Sequence, residues 1–101
     1  MNSHGKERDR SAAIYRAILK LKTPEECYAF LEDLCTVSEQ MALEQRFEVA
    51  MLLDQGSIYQ DVLQKTGVSS ATVSRVKRAL NFGAGGYRLV MDRMNEGDDQ
   101  A

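Results

Sequence analysis

Apolar residues recur in this chain at intervals of three and four, the spacing that gathers side chains on one face of an α-helix. Ile14, Ala17, Ile18 and Leu21 describe the inner face of a first helix. Thr23-Pro24-Glu25-Glu26 then offers an N-cap, a proline at the first helical position and a capping-box glutamate. Behind it Cys27, Phe30, Leu31 and Leu34 repeat the spacing. A second box, Thr36-Val37-Ser38-Glu39, opens a third helix that runs to about Gln55 and stops at Gly56. Leu43, Phe47, Ala50 and Met51 form its main stripe, and Ala42, Val49, Leu52 and Leu53 widen that stripe well beyond one face. A helix so apolar is buried on more than one side.

After Gly56 the pattern shortens. Ser57 is placed to cap a helix reaching about Thr66, with Ile58, Val62 and Leu63 turned inward. Gly67-Val68-Ser69 interrupts it, and a second short helix runs from about Ser70 to Leu80. Three of the seven glycines fall in FGAGGY (82–87), which reads as a flexible turn before a last helix through Leu89, Val90 and Met94. No strand-like alternation and no internal repeat appears. The fold class is all-α, with five to six helices. The boundaries are a flexible tail over 1–9, one helical domain over 10–95 with a helix-turn-helix at 57–80, and an acidic tail over 96–101.

Composition narrows this picture. The 101 residues suffice for one domain, and 44% apolar with 28% charged residues excludes wholesale disorder and collagen-like fibre. A chain of this size buries only roughly 65% of its unfolded surface, so self-association is an early expectation. No apolar run approaches the ~20 residues of a membrane span, and MNSHGKERDRS lacks the apolar stretch of a secretory signal, which together favour a cytoplasmic protein. Cys27 and Cys35 lie eight apart on one helix, roughly 12 Å along its axis, too far for a disulfide within the chain. They read as small buried or half-buried apolar residues. With no CxxC and only His4, which belongs to the tail, no metal site is expected.

The two short helices carry the chemistry. Glycine at position 67 suits a sharp turn that needs positive φ, and Val68 and Val73 are placed to pin the helices together. Ser69 is positioned to cap the second helix, whose outer side shows Ser70, Ala71, Ser74, Arg75 and Arg78. Small residues at a helix start allow close approach to base edges, and arginine can contact guanine with two hydrogen bonds. Many such motifs place alanine four residues before the glycine, whereas this chain has Leu63. A plain helical hairpin is the simplest alternative.

TVSRV (72–76) resembles the recognition helix of the Lac repressor family. The chain as a whole resembles the Trp repressor superfamily. The run from Thr36 through Arg46, Gly56, Gly67 and Thr72-Val73-Ser74-Arg75, preceded by two amphipathic helices and followed by one, carries that resemblance over about residues 10 to 95. LNFGAGGYRLVMDRM (80–94) is similar to a small Trp-repressor-like branch found in bacteria. The resemblance implies an intertwined homodimer whose first three helices interlock, with a reading head that carries the helix-turn-helix. A two-fold dimer presents two recognition helices about one helical turn apart, matching a pseudo-palindromic operator in double-stranded DNA.

It also implies an effector pocket. Thr36 matches a backbone-and-hydroxyl contact to tryptophan, and Arg46 and Arg75 match the two arginines that flank the indole. Two departures stand against tryptophan as corepressor. Val76 replaces the glycine that lets the ring lie flat, and Ala79 replaces a serine that helps hold the amino acid. No cofactor, or an unidentified small-molecule effector, is therefore expected. A salt bridge to Glu44 or Glu48 is the plainer role for Arg46.

The expected function is a sequence-specific bacterial transcriptional regulator, a repressor acting as a homodimer on operator DNA. Ser70, Ala71, Ser74 and Arg78 are expected to read or approach bases, with Gln60, Ser69, Thr72 and Lys77 nearer the backbone. Arg75 serves either DNA or effector. The alternative is a protein-interaction module that docks its helical hairpin on another regulator, which the acidic stretch from Glu25 to Asp54 supports. No Ser/His/Asp set, glycine-rich phosphate loop or metal cluster supports an enzyme. An intertwined helical enzyme using Arg8, Arg10, Arg16 and Lys20 needs a long first helix, which Thr23-Pro24 interrupts. The net charge of −2 is unusual for a nucleic-acid-binding chain, but residues 57–80 hold four bases and one acid. Residues 23–56 hold one base and eight acids. Positive charge lies where the motif meets DNA, and its small amount implies weak non-specific binding.

Overall fold

The computed structural model describes residues 8–100, so His4 and most of the expected N-terminal tail, with Ala101, lie outside the described residues. Six α-helices and no strand are found among them: α1 (Ala13–Ile18), α2 (Pro24–Leu34), α3 (Val37–Asp54), α4 (Tyr59–Thr66), α5 (Ser70–Phe82) and α6 (Gly86–Gln100). The all-α expectation holds. The chain divides into two compact units, one ending at Val37 and the other beginning at Ser38.

In the first unit, the Asp9 carboxylate accepts hydrogen bonds from the Ser11 hydroxyl at 2.7 Å and the Ser11 N–H at 2.8 Å. These two donors hold the Asp9 carboxyl below its ordinary range. The helix that follows is shorter than its apolar spacing implies. Leu21 falls in a turn beyond α1, where the N–H groups of Lys20 and Leu21 donate to the Ala17 and Ile18 carbonyls, because Thr23 must be extended to cap α2. The Thr23 hydroxyl accepts from the Glu26 N–H at 3.1 Å. The reciprocal half of the box is shifted by one residue, since the Glu26 carboxylate accepts from the Lys22 N–H at 2.9 Å. No residue of α1 or α2 is buried. Leu19, Tyr28 and Leu34 are 83%, 56% and 52% exposed. Cys27 is exposed and only Cys35 is half-buried, so the reading of both as buried or half-buried fails for Cys27, which shares the uncovered apolar face of α2.

The second unit has a core of its own. Val49 and Ala50 of α3, Val62 of α4, Val73 and Val76 of α5 and Met91 of α6 are buried together. Phe47, Leu63, Val68, Leu80 and Tyr87 pack around them. Leu63 is thus absorbed as a core residue despite its size at a position where alanine is common.

α3 ends in a left-handed glycine cap. Gly56 has φ +87°, its N–H donates to the Leu53 carbonyl, and the Ser57 N–H reaches back to the Leu52 carbonyl at 3.0 Å. This overturns the expected role of Ser57. It closes α3, and the N-cap of α4 is Ile58, whose side chain makes no cap hydrogen bond. Ile58 is 65% exposed instead of turned inward, because an N-cap residue precedes the helical face. α5 ends at Gly83, where an added Cβ would meet the Ala79 carbonyl oxygen at 2.4 Å, so only glycine fits. α6 continues through Gln100, past the point where the sequence predicts an acidic tail. Arg88 of α6 pairs with Asp54 at the end of α3 and with Asp92 one turn on, and both carboxylates raise its pKa.

Candidate nucleic-acid interface

α4 and α5 form the expected helix-turn-helix. Gly67 adopts φ +69° and its N–H donates to the Leu63 carbonyl at 2.9 Å, which ends α4 and redirects the chain. The Thr66 hydroxyl donates to the Val62 carbonyl at 2.7 Å and accepts from the Val68 N–H at 3.4 Å, bracing the turn. Ser69 is the N-cap of α5. Its Oγ accepts from the Thr72 N–H at 3.2 Å and lies 3.1 Å from the Thr72 hydroxyl. Both hydroxyls expected near the DNA backbone are therefore engaged in holding the start of α5.

The remaining side chains of α5 sort by angle. At about 100° per residue, Ala71, Ser74, Arg75 and Arg78 fall on one ridge opposite Val73, Val76 and Leu80. The ridge is exposed throughout, while Val73 and Val76 are each 1% exposed. Ser70, Lys77 and Asn81 lie along one flank and are exposed. Thr72 and Ala79 lie on the other flank and are half-buried. The guanidinium groups of Arg75 and Arg78 and the ammonium of Lys77 have no hydrogen-bond or ion-pair partner among the described residues. Gln60 is exposed in the first turn of α4. Sequence reasoning passed over Lys65, exposed near the end of α4, although it is the fourth base of the 57–80 segment.

The candidate effector residues are distributed differently. Thr36 is exposed at the end of the first unit, whereas Arg46 of α3 and Arg75 of α5 belong to the second. Arg46 is half-buried and forms no ion pair with Glu44 or Glu48, so the plainer role anticipated for it is not realised. Val76 is a core residue, and Ala79 offers no polar atom at its half-buried position. Among the described residues no group of three His, Cys, Asp or Glu is placed to hold a metal ion, and no helix is long and apolar enough to cross a membrane.

A capped recognition helix with an exposed, partly cationic ridge, set on a glycine turn against its supporting helix, defines a helix-turn-helix DNA-binding protein. Comparison with known proteins identifies which. The profile of the Trp repressor protein family matches residues 10–95, and the chain belongs to that family. It is similar to YerC of Bacillus subtilis (strain 168), at 45% identity over 97 residues, or 96% of this chain and 90% of YerC. Among solved structures it is similar to a Staphylococcus aureus protein described as a "putative Trp repressor", with TM-score 0.82 and 43% identity, covering 94% of this chain and 95% of the other. A TrpR-like protein of Eubacterium eligens ATCC 27750 gives TM-score 0.78 and 48% identity over 82% of this chain and 86% of the other. The chain is a DNA-binding regulator of this family.

Proposed function

We propose that the protein is a cytoplasmic bacterial repressor that binds a pseudo-palindromic operator as a homodimer. The observation that carries the dimer is the absence of any buried residue in α1 and α2, although Leu19, Tyr28 and Leu34 are large, apolar and more than half exposed. A second copy would cover these side chains, and burial of each large apolar side chain is worth about 1.5–3 kcal/mol. The observation that carries the operator is the exposed α5 ridge with its unpaired Arg75 and Arg78.

Selection of bound sequences from a random duplex pool tests the operator. A palindromic consensus is the expected result, and failure to retain any duplex at low salt would favour a protein-docking hairpin instead. Light scattering tests the dimer, with twice the 11.3 kDa chain mass expected. Mutation of Arg75 to Ala across a salt series separates its two possible roles. Weaker DNA binding with a salt slope shallower by about one is the signature of a phosphate contact.

Tryptophan does not serve as corepressor in this proposal, because a buried valine, Val76, stands where the resemblance calls for the glycine beneath the ring, and the Ala79 side chain cannot hydrogen-bond. An effector of another kind has room: an open, largely apolar groove of about 460 Å³ lies among Phe47, Ala79, Gly85, Tyr87 and Val90. A rise of several degrees in melting temperature with millimolar tryptophan, absent with other amino acids, would defeat the exclusion.

A further inference from the structure

The α5 ridge has a composition that restricts which bases it can read. Its members supply a methyl group (Ala71), a hydroxyl (Ser74) and two guanidinium groups (Arg75 and Arg78), with the exposed ring of Phe82 at its far end. No carboxylate and no side-chain amide stands on it. Asn81 is on the flank, about 16 Å along the axis from the first residue of α5. Direct reading of adenine in the major groove calls for an Asn or Gln amide, and acceptance from cytosine N4 calls for a carboxylate. Neither chemistry stands on the ridge. What remains, beside a Ser74 hydroxyl that can bond any base and so selects none, is apolar contact with the thymine C5 methyl and the two-pronged hydrogen bond from arginine to guanine O6 and N7.

Position along the helix assigns these contacts. Recognition helices enter the groove by their N-terminal residues. Ala71 is the second residue of α5, and its small side chain lets the backbone come near the base edges. Ser69 and Thr72 hold that end through their mutual contact and the Thr72 N–H, so their hydroxyls position the helix. Arg75 stands one turn further on, on the same ridge and about 6 Å along the axis, a distance of roughly two base pairs. Arg78 follows on the next turn, where the helix leaves the groove, with Lys77 on the flank.

Resting on the DNA-binding reading, we infer that Ala71 and Arg75 are the specificity-determining pair. Ala71 contacts a thymine methyl and Arg75 a guanine, two or three base pairs apart in each operator half-site. Arg78 and Lys77 contact phosphates and contribute affinity without sequence preference.

The test uses the full chain and the duplex obtained from the random pool. The consensus half-site contains a T and a G at that spacing. Replacing the thymine by uracil removes only the methyl group and weakens wild-type binding about three- to tenfold, while an Ala71→Ser variant shows no such difference. Replacing the guanine by 7-deazaguanine, or Arg75 by Lys, costs roughly ten- to a hundredfold on the consensus. The Arg75→Lys variant keeps the wild-type affinity for random duplex, since lysine retains the charge but not the fork. Arg78→Ala lowers binding to consensus and random duplex by the same factor. A bound consensus indifferent to both uracil and 7-deazaguanine would overturn this assignment and leave the DNA-binding reading intact. Equal loss on consensus and random duplex for Arg75→Lys would also overturn it. Absence of any duplex binding would overturn both.

Discussion

The two compact units of this chain are built from the same material with opposite results. From Ser38 onward, α3 to α6 enclose a core in which Val49, Ala50 and Val62 have no accessible surface. Up to Val37, α1 and α2 have clear apolar spacing and α2 adds the proline-led cap, yet they bury nothing. A capped and amphipathic helix is thus a local achievement, and burial is a separate one that depends on what faces it. The second unit supplies its own facing surface. The first leaves its apolar side chains exposed.

The largest expected effect comes from attacking the part that is self-sufficient. Val62→Asp places a carboxylate where there is no water, at a cost of several kcal/mol against a total stability of about 5–15 kcal/mol. Circular dichroism should show loss of the folded state at ordinary temperature. Retention of a cooperative transition near that of the wild type would mean that the core is not closed around α4. The matching change in the first unit, Leu34→Asp, should act on association instead. Light scattering is expected to register a halved mass at low micromolar concentration, with α4 and α5 still helical. If helicity collapsed together with the mass, the two units would not be separable in their stability.

Smaller effects sharpen the comparison at its seams. Gly83→Ala must displace the Ala79 carbonyl or the chain behind it, and a loss of about 2 kcal/mol in chemical denaturation is expected. An unchanged midpoint would show that the end of α5 yields freely. The two caps provide the finest test. Removing the Ser69 or the Thr23 hydroxyl by mutation to alanine should cost about 1 kcal/mol each, because both accept one helix N–H. If Thr23→Ala costs nothing measurable while Ser69→Ala costs its full share, then α2 does not take part in the cooperative fold.

Much of this was legible before any coordinates. Thr23, Ser69 and Gly67 announced themselves because capping and left-handed turns depend on a residue and its nearest neighbours. The errors arose where two local devices compete for one residue. Ser57 could cap α4 or close α3, and the closing of α3 won, because Gly56 had already turned the chain toward Leu52 and Leu53. Leu21 continued the apolar spacing of α1, but the extended conformation required at Thr23 cut the helix short. Spacing also could not say which apolar faces close within one chain, since α2 and α4 look alike in pattern and differ only in what lies opposite. At the interface, the helix-turn-helix and its outward residues could be read from the sequence. That Ser69 and Thr72 satisfy one another could not, because both hydroxyls look equally free until their 3.1 Å separation is known.

The placement of Ala71, Ser74, Arg75 and Arg78 opposite the buried valines has an evolutionary consequence. None of the four fills the core, caps a helix or bonds to a described neighbour, so exchanging them leaves the scaffold's stability nearly untouched. After gene duplication, copies of such a chain can drift at Ala71 and Arg75 and acquire new operators one substitution at a time, without passing through an unfolded ancestor, while changes at Arg78 adjust affinity alone. The fold is held together by its valines, and its targets are free to diverge.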